Sequence, residues 1–178
     1  MKNLSLLYVG FGLLFFPLFY SSCDEDEKEK LPPITMQGKN TFGCLVNGKA
    51  WLSMGGLGQD GTYAELQTSG DTTAIIIYAD NMKRNDGLRI FFYDLPTLQV
   101  DKVYNLTDPE FHVEYSKRND SDKVLCTYDK ALSGIVNLLK FDPNNQIISG
   151  IFEFKSYSLA CDDSVIITDG RFDLLYNR

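Results

Sequence analysis

The chain has 178 residues, with 24 acidic against 17 basic side chains, a net charge of −7 and an isoelectric point near 4.7. That balance argues against nucleic acid as a partner, because holding a phosphate backbone rests on clustered Lys and Arg. His112 and Trp51 are the only residues of their kinds among 12 Phe and 10 Tyr. Such richness in aromatics, cut by Gly, Asn and Asp, points to sheet rather than helix.

An apolar run from Leu4 to Tyr20 follows Lys2 and ends at Ser21, Ser22 and Cys23. Gly10, Gly12 and Pro17 make it a poor permanent span, and it is slightly short for one. Small residues before a lone cysteine, closing an apolar segment, have the form of a bacterial lipoprotein signal peptide. In that reading residues 1–22 are removed and Cys23 is the lipid attachment site. Tyr20 departs from the usual pattern, which prefers Leu three residues before the cysteine. The alternatives are an ordinary secretory signal cut nearby and an uncleaved anchor. The acidic run Asp24 to Lys30 (DEDEKEK) fits a span flank poorly. At about 0.8 kcal/mol per buried methylene, several acyl chains hold a protein to a membrane essentially irreversibly.

Removing 22 of 178 residues leaves 156, enough for one domain with a sizeable core. Residues 23–40 read as a tether, acidic first and then broken by Pro32 and Pro33, which holds a head away from the membrane. Residues 41–178 read as a single all-β domain. Thr41 to Val46 and Lys49 to Ser53 flank Asn47-Gly48, the strongest short hairpin signal, since both turn residues must accept positive φ. Strands are expected over Thr62 to Ser69 and Thr72 to Asp80, where Ile75, Ile76 and Ile77 are to be buried on both faces. Asn81 to Gly87 is a polar connection whose Asp86-Gly87 reads as a second hairpin signal. Leu88 to Tyr93 follows, then a weak edge over Leu98 to Leu106. Phe111 to Tyr115 sets Phe111, Val113 and Tyr115 on one face and His112 and Glu114 on the other. Val124 to Tyr128 is a short strand, and Asp129 to Leu132 makes at most a turn. Ser133 to Phe141 and Gln146 to Tyr157 flank the turn at Asp142-Pro143-Asn144-Asn145. Val165 to Thr168 and Arg171 to Tyr176 close the chain. About ten short strands joined by tight turns predict an antiparallel β-sandwich or a barrel-like sheet. Gly150 and Gly170 mark expected bulges.

With Cys23 lipidated, Cys44, Cys126 and Cys161 remain, and export permits a disulfide. Cys44 with Cys161 is the favoured pair, at opposite ends of the domain; closing that loop would stabilise the fold by about 4–5 kcal/mol in the chain-entropy account. Three buried free thiols are the alternative.

Thr41 to Lys49 (TFGCLVNGK), with Trp51 after it, resembles the opening of an uncharacterised Bacteroides-type outer-membrane lipoprotein family. Gly150 to Phe154 (GIFEF) and Ile167 to Asp173 (ITDGRFD) are similar to that family's close. The likeness implies a surface lipoprotein whose first strand pairs with its last ones, and it brings no activity or cofactor. The acidic run resembles the surface-export signal of such lipoproteins, which implies an outer-membrane protein facing the cell exterior; the same charges also suit a solvated spacer. Thr72 and Ser164, in Asp-Thr-Thr and Asp-Ser-Val, resemble the O-glycosylation signal of Bacteroides exported proteins.

A single histidine leaves little room for Ser–His–Asp or Cys–His catalysis or for catalytic zinc. Paired carboxylates are the remaining route to an enzyme, since glycoside hydrolysis needs two acids. Asp80, Glu114, Glu153, Asp162 and Asp163 are the available acids, and nothing in their spacing selects a pair. Calcium at Asn119 to Asp122, or at the glycine-rich loop with Asp60, lacks a full ligand set. No cofactor, metal or catalytic residue is therefore assigned. Phe91, Phe92, Tyr93, Tyr104, Phe111, Tyr115 and Tyr128 are expected mostly in the core, with Phe91 and Tyr93 sharing one face and Phe92 on the other. The expected function is a lipid-anchored binding or structural module of the cell envelope. Its partners are the membrane, through the anchor, and a glycan or another envelope protein. A carboxylate-dependent hydrolase acting on glycans is the alternative. An open cleft with two facing acids would favour the hydrolase, an exposed aromatic strip the binding module.

Overall fold

The computed structural model describes residues 30–177 apart from 57–59, 70–71, 94–97, 120 and 122. Cys23 and the expected leader, residues 1–22, therefore lie outside the described residues. Those described form eleven strands and no helix. The strands are β1 (Thr41–Val46), β2 (Lys49–Leu52), β3 (Thr62–Ser69), β4 (Thr72–Asn81), β5 (Asp86–Phe92) and β6 (Val103–Asn105). They continue as β7 (Phe111–Arg118), β8 (Val124–Tyr128), β9 (Lys130–Asp142), β10 (Ile147–Ser158) and β11 (Asp163–Asn177).

A first layer runs β6-β9-β10-β11, with β1 and β2 added beside β11; a second runs β3-β4-β5-β7-β8. The two are joined where the end of β11 pairs with β3, so the whole is one sheet folded into a sandwich-like body that does not close into a barrel. The β11–β3 contact is parallel, as is the Met54–Asn81 bridge, so the sheet is mixed rather than purely antiparallel. Alternation packs Phe42, Phe152, Phe172 and Leu174 from the first layer against Ile75, Ile77, Ile90 and Phe92 from the second.

The Asn47-Gly48 turn forms as its residue types require, with φ of 49° and 77°. β1 pairs antiparallel with β11, Thr41 opposite Asp173 and Val46 opposite Ile167. The two expected closing strands are one strand, bent where the registers of β1 and β10 both shift beside Asp169 and Gly170. A Cβ on Gly170 would lie 2.5 Å from the Phe152 ring, so only glycine lets that core ring approach the bend. Gly150 likewise sits at a register shift against β9.

Several expectations are corrected. Asp86-Gly87 is not a turn: the reversal is at Met82–Asn85, and Asp86 already belongs to β5 with its side chain buried. The expected turn at Asp129 to Leu132 is the start of β9 from Lys130 onward, paired with Tyr157 and Ser156. Of Leu98 to Leu106, only Val103–Asn105 pairs, because the chain reverses at Asp101 with φ of 61°. The disulfide joins Cys126 to Cys161, not Cys44 to Cys161. Cys44 points into the core opposite Trp51, while Cys126 on β8 and Cys161 in the β10–β11 turn have Cα atoms 5.9 Å apart. That spacing suits a bond and ties the outer edge of one layer to the other.

Residues 31–40 are irregular, as two prolines dictate, but they are fastened to the head. Asp173 is buried at the outer side of β11 and takes hydrogen bonds from Thr35 Oγ1 (2.6 Å) and from the backbone N–H of Gln37 (3.0 Å), Gly38 (2.7 Å) and Lys39 (3.3 Å). Asn40 Oδ1 accepts from the Leu175 N–H, and Arg171 donates to the Pro32 carbonyl. The spacer expected between membrane and head is thus, from Leu31 onward, part of the head.

Candidate functional site: the outer face of the second layer

Alternation turns Ile75, Ile77 and Ala79 of β4 inward and leaves Tyr78 and Asp80 outside; β5 likewise buries Leu88, Ile90 and Phe92 and presents Arg89 and Phe91. Register then aligns the outward side chains in rows. Tyr63 is opposite Tyr78, Tyr78 opposite Arg89, and Arg89 opposite Glu114. The two tyrosine rings stack with centroids 4.6 Å apart and planes 14° apart. The Arg89 guanidinium lies 5.6 Å from the Tyr78 ring centre and reaches Glu114 Oε1 at 2.8 Å. The row is a continuous stack of ring, ring and cation, closed by a carboxylate.

The adjacent row runs Glu65, Ile76, Phe91 and His112. Phe91 packs on His112 at 5.1 Å and on Tyr93 at 5.9 Å. Ile76 is buried despite facing outward, since large neighbours flank it, so the expectation for the three isoleucines holds. Tyr63 and Tyr93 are the open members, 43% and 37% exposed. Burial first, and then the Glu65 carboxylate, push the Tyr63 and Tyr78 phenols above their ordinary range. Both therefore keep their protons, and Tyr78 donates its single one to Glu65 at 3.3 Å.

The expected split of the aromatics holds: Phe92, Tyr104, Phe111, Tyr115 and Tyr128 are core, and Phe91 and Tyr93 face out together. His112 and Glu114 face out beside them. Tyr63 and Tyr78 escaped the sequence reading, because only strand register brings them into one row with Arg89.

The candidate acids do not converge. Asp80 is held by Arg118 at 3.2 Å and Glu114 by Arg89, two strands apart on this same face. Glu153 lies on the outer side of the first layer, while Asp162 and Asp163 sit at the β10–β11 turn, where Asp162 accepts from the Tyr157 hydroxyl. Asp60 and Asp80 do line one glycine-walled hollow with Tyr63, a pairing that the sequence concealed. Among the described residues no group of three or more metal-ligating side chains forms. Asn119 Oδ1 is instead taken up by the N–H groups of Ser121 and Lys123. Ser164 is half-buried on β11; Thr72 opens β4, and its side chain is outside the described set.

A second polar cluster lies between the layers, buried except for Arg84. Asp86 receives Trp51 Nε1 at 2.6 Å and the Tyr115 hydroxyl at 2.7 Å, with Arg84 3.5 Å away. Burial pushes the nearby Cys44 thiol up to about 12, with Arg84 opposing and Asp86 reinforcing. Burial first, and then the hydrogen bond to Asp86, raise Tyr115 as well. With Trp51, Asp86 and Tyr115 buried and bonded to one another, and only Arg84 reaching solvent, the cluster holds structure together.

Comparison with known protein families, with characterised proteins and with solved structures finds no match. The function is therefore argued from this surface alone.

Proposed function

We propose that the protein is a lipid-anchored module of the cell envelope, acylated at Cys23 and displayed on the outer membrane, that binds glycans through the outer face of its second layer. The observation that carries the reading is the aromatic strip of Tyr63, Tyr78, Phe91 and Tyr93. Flat rings offer apolar surface to the C–H faces of sugar rings at low entropic cost, and the phenols, Arg89, Glu65 and His112 supply hydrogen bonds to hydroxyls around them. The stack is held by its own cross-strand contacts, so little ordering is left for binding to supply.

The hydrolase reading is weaker, since Asp80 and Glu114 are each engaged by an arginine instead of facing each other across a cleft. Binding is tested by calorimetry against a panel of soluble neutral and acidic polysaccharides. At least one should bind, and Tyr63→Ala and Tyr93→Ala should each weaken it tenfold or more, a loss of about 1.4 kcal/mol. Failure of every polysaccharide, or binding that survives both substitutions, would reject the reading. Mass spectrometry of the mature N-terminal peptide tests acylation of Cys23 separately.

A further inference from the structure

The docked segment determines where an anchor would leave the head. Pro32 lies against Gly43 and Leu52 on the outer side of the first layer, and Ile34 lies further across that same side. Between Cys23 and Leu31 the sequence has seven residues, Asp24 to Lys30, which can span at most about 25 Å. The same side carries a run of aliphatic side chains. Ile34, Val103, Ile135 and Ile151 line one shallow groove of about 390 Å³, and Ile135 continues into a second with Ile166. Ile34, Val103, Ile135 and Ile166 are all exposed. Arg171 and Lys155 stand among them, with Glu153 beside Lys155 and Asp169 paired to Arg171 at 3.9 Å. Branched aliphatics with long cations between them match the boundary between acyl chains and headgroups, where stems lie in the apolar zone and charges reach water. The aromatic strip is on the opposite side of the sandwich. Its rings and paired charges lack such an aliphatic run.

We propose that the outer face of the first layer, from Ile34 across to Ile166, rests on the lipid surface that carries the anchor, and that the aromatic face is thereby aimed away from the membrane. The proposal rests on acylation of Cys23: the short leash leaves at that face, and turning the other face to the lipid would require it to pass around the body. Lipid is the occupant because the leash length and exit point bring this face to it before any other partner.

The test uses the full, processed protein in phosphatidylethanolamine–phosphatidylglycerol vesicles containing lipids brominated near the headgroup end of the chains. Ile135→Trp and Val103→Trp report the first layer's face and Tyr93→Trp the other, each measured against the signal of buried Trp51 in the unsubstituted protein. The added emission of Ile135→Trp and Val103→Trp should fall at least twofold with brominated lipid, and that of Tyr93→Trp should be unchanged. Two first-layer positions guard against one variant misfolding. Protein that floats with the vesicles but shows no quenching from the first-layer positions, or equal quenching from both faces, overturns the proposal and leaves the anchor standing. Protein that does not float at all overturns the anchor, and this proposal with it.

Discussion

Trp51 donates its indole N–H to the Asp86 carboxylate at 2.6 Å, which links β2 in one layer to β5 in the other through a buried charge. The second carboxylate oxygen takes the Tyr115 hydroxyl at 2.7 Å, so one side chain satisfies two buried donors. Removing it orphans both, and orphaned buried donors cost more than the net value of the bonds they made. Asp86→Ala should lower the unfolding free energy by about 3 kcal/mol. Urea titration followed by the emission of Trp51, the only tryptophan, measures it; a loss below about 1 kcal/mol would mean that water replaces the carboxylate.

Asp173 gives a pH dependence of determinate sign. Burial alone would raise its pKa, but the hydrogen bonds from Thr35, Gln37, Gly38 and Lys39 outweigh burial and hold it below the ordinary carboxylate value. The folded value lies below the unfolded one. The stabilisation is therefore complete above the unfolded pKa and disappears as pH falls through the folded value. Residues 35–39 should stay fastened through the ordinary carboxylate range, about pH 4, and detach only as pH falls below it. Hydrogen exchange at the Gln37 and Gly38 amides should accelerate there. In Asp173→Asn it should be fast at neutral pH already, with that acid transition gone.

The Cys126–Cys161 bond closes a separation of 35 residues. Loop entropy assigns such a bond about 3–4 kcal/mol. Reduction should shift the urea midpoint down accordingly and free the β8 edge first. Peptide mapping without reduction should recover the two cysteines together, and Cys126→Ser with Cys161→Ser should reproduce the reduced protein.

Cys44 is the complementary case. Its pKa near 12 leaves almost no thiolate at pH 8, and the side chain has no path to solvent. Iodoacetamide at pH 8 should leave it unlabelled in the native protein and label it completely in denaturant. Native labelling within minutes would place the thiol outside the core.

Two dipeptides show how far the sequence could be read. Asn47-Gly48 and Asp86-Gly87 carry the same turn signal, yet only the first turns: the distant bonds of Asn47, to the Ile166 backbone, are made with the turn in place. Asp86 is claimed by Trp51, 35 residues away, and Tyr115, 29 residues away. A propensity of a few tenths of a kcal/mol loses to two buried hydrogen bonds. The same reason hid the docking of residues 31–40: Pro32 and Pro33 announce irregular chain, but its fastening depends on Asp173, 138 residues from Thr35. Alternation correctly put Phe91 with Tyr93 and His112 with Glu114, because period two is a local property, while register sets the two pairs side by side. It could not show that Tyr63 and Tyr78 join them, since register across three strands is not local. Cysteine pairing failed for that reason too.

β11 is bonded to β10 along its length, to β1 over its middle, from Ile167 to Asp173, and to β3 at its end, and a ribosome delivers it after the other ten described strands. Until β11 is made, the first layer lacks the strand that joins β10 to β1, and the two layers lack the seam between β11 and β3. A chain wired in this way closes its two layers around one common core only after β11 has emerged.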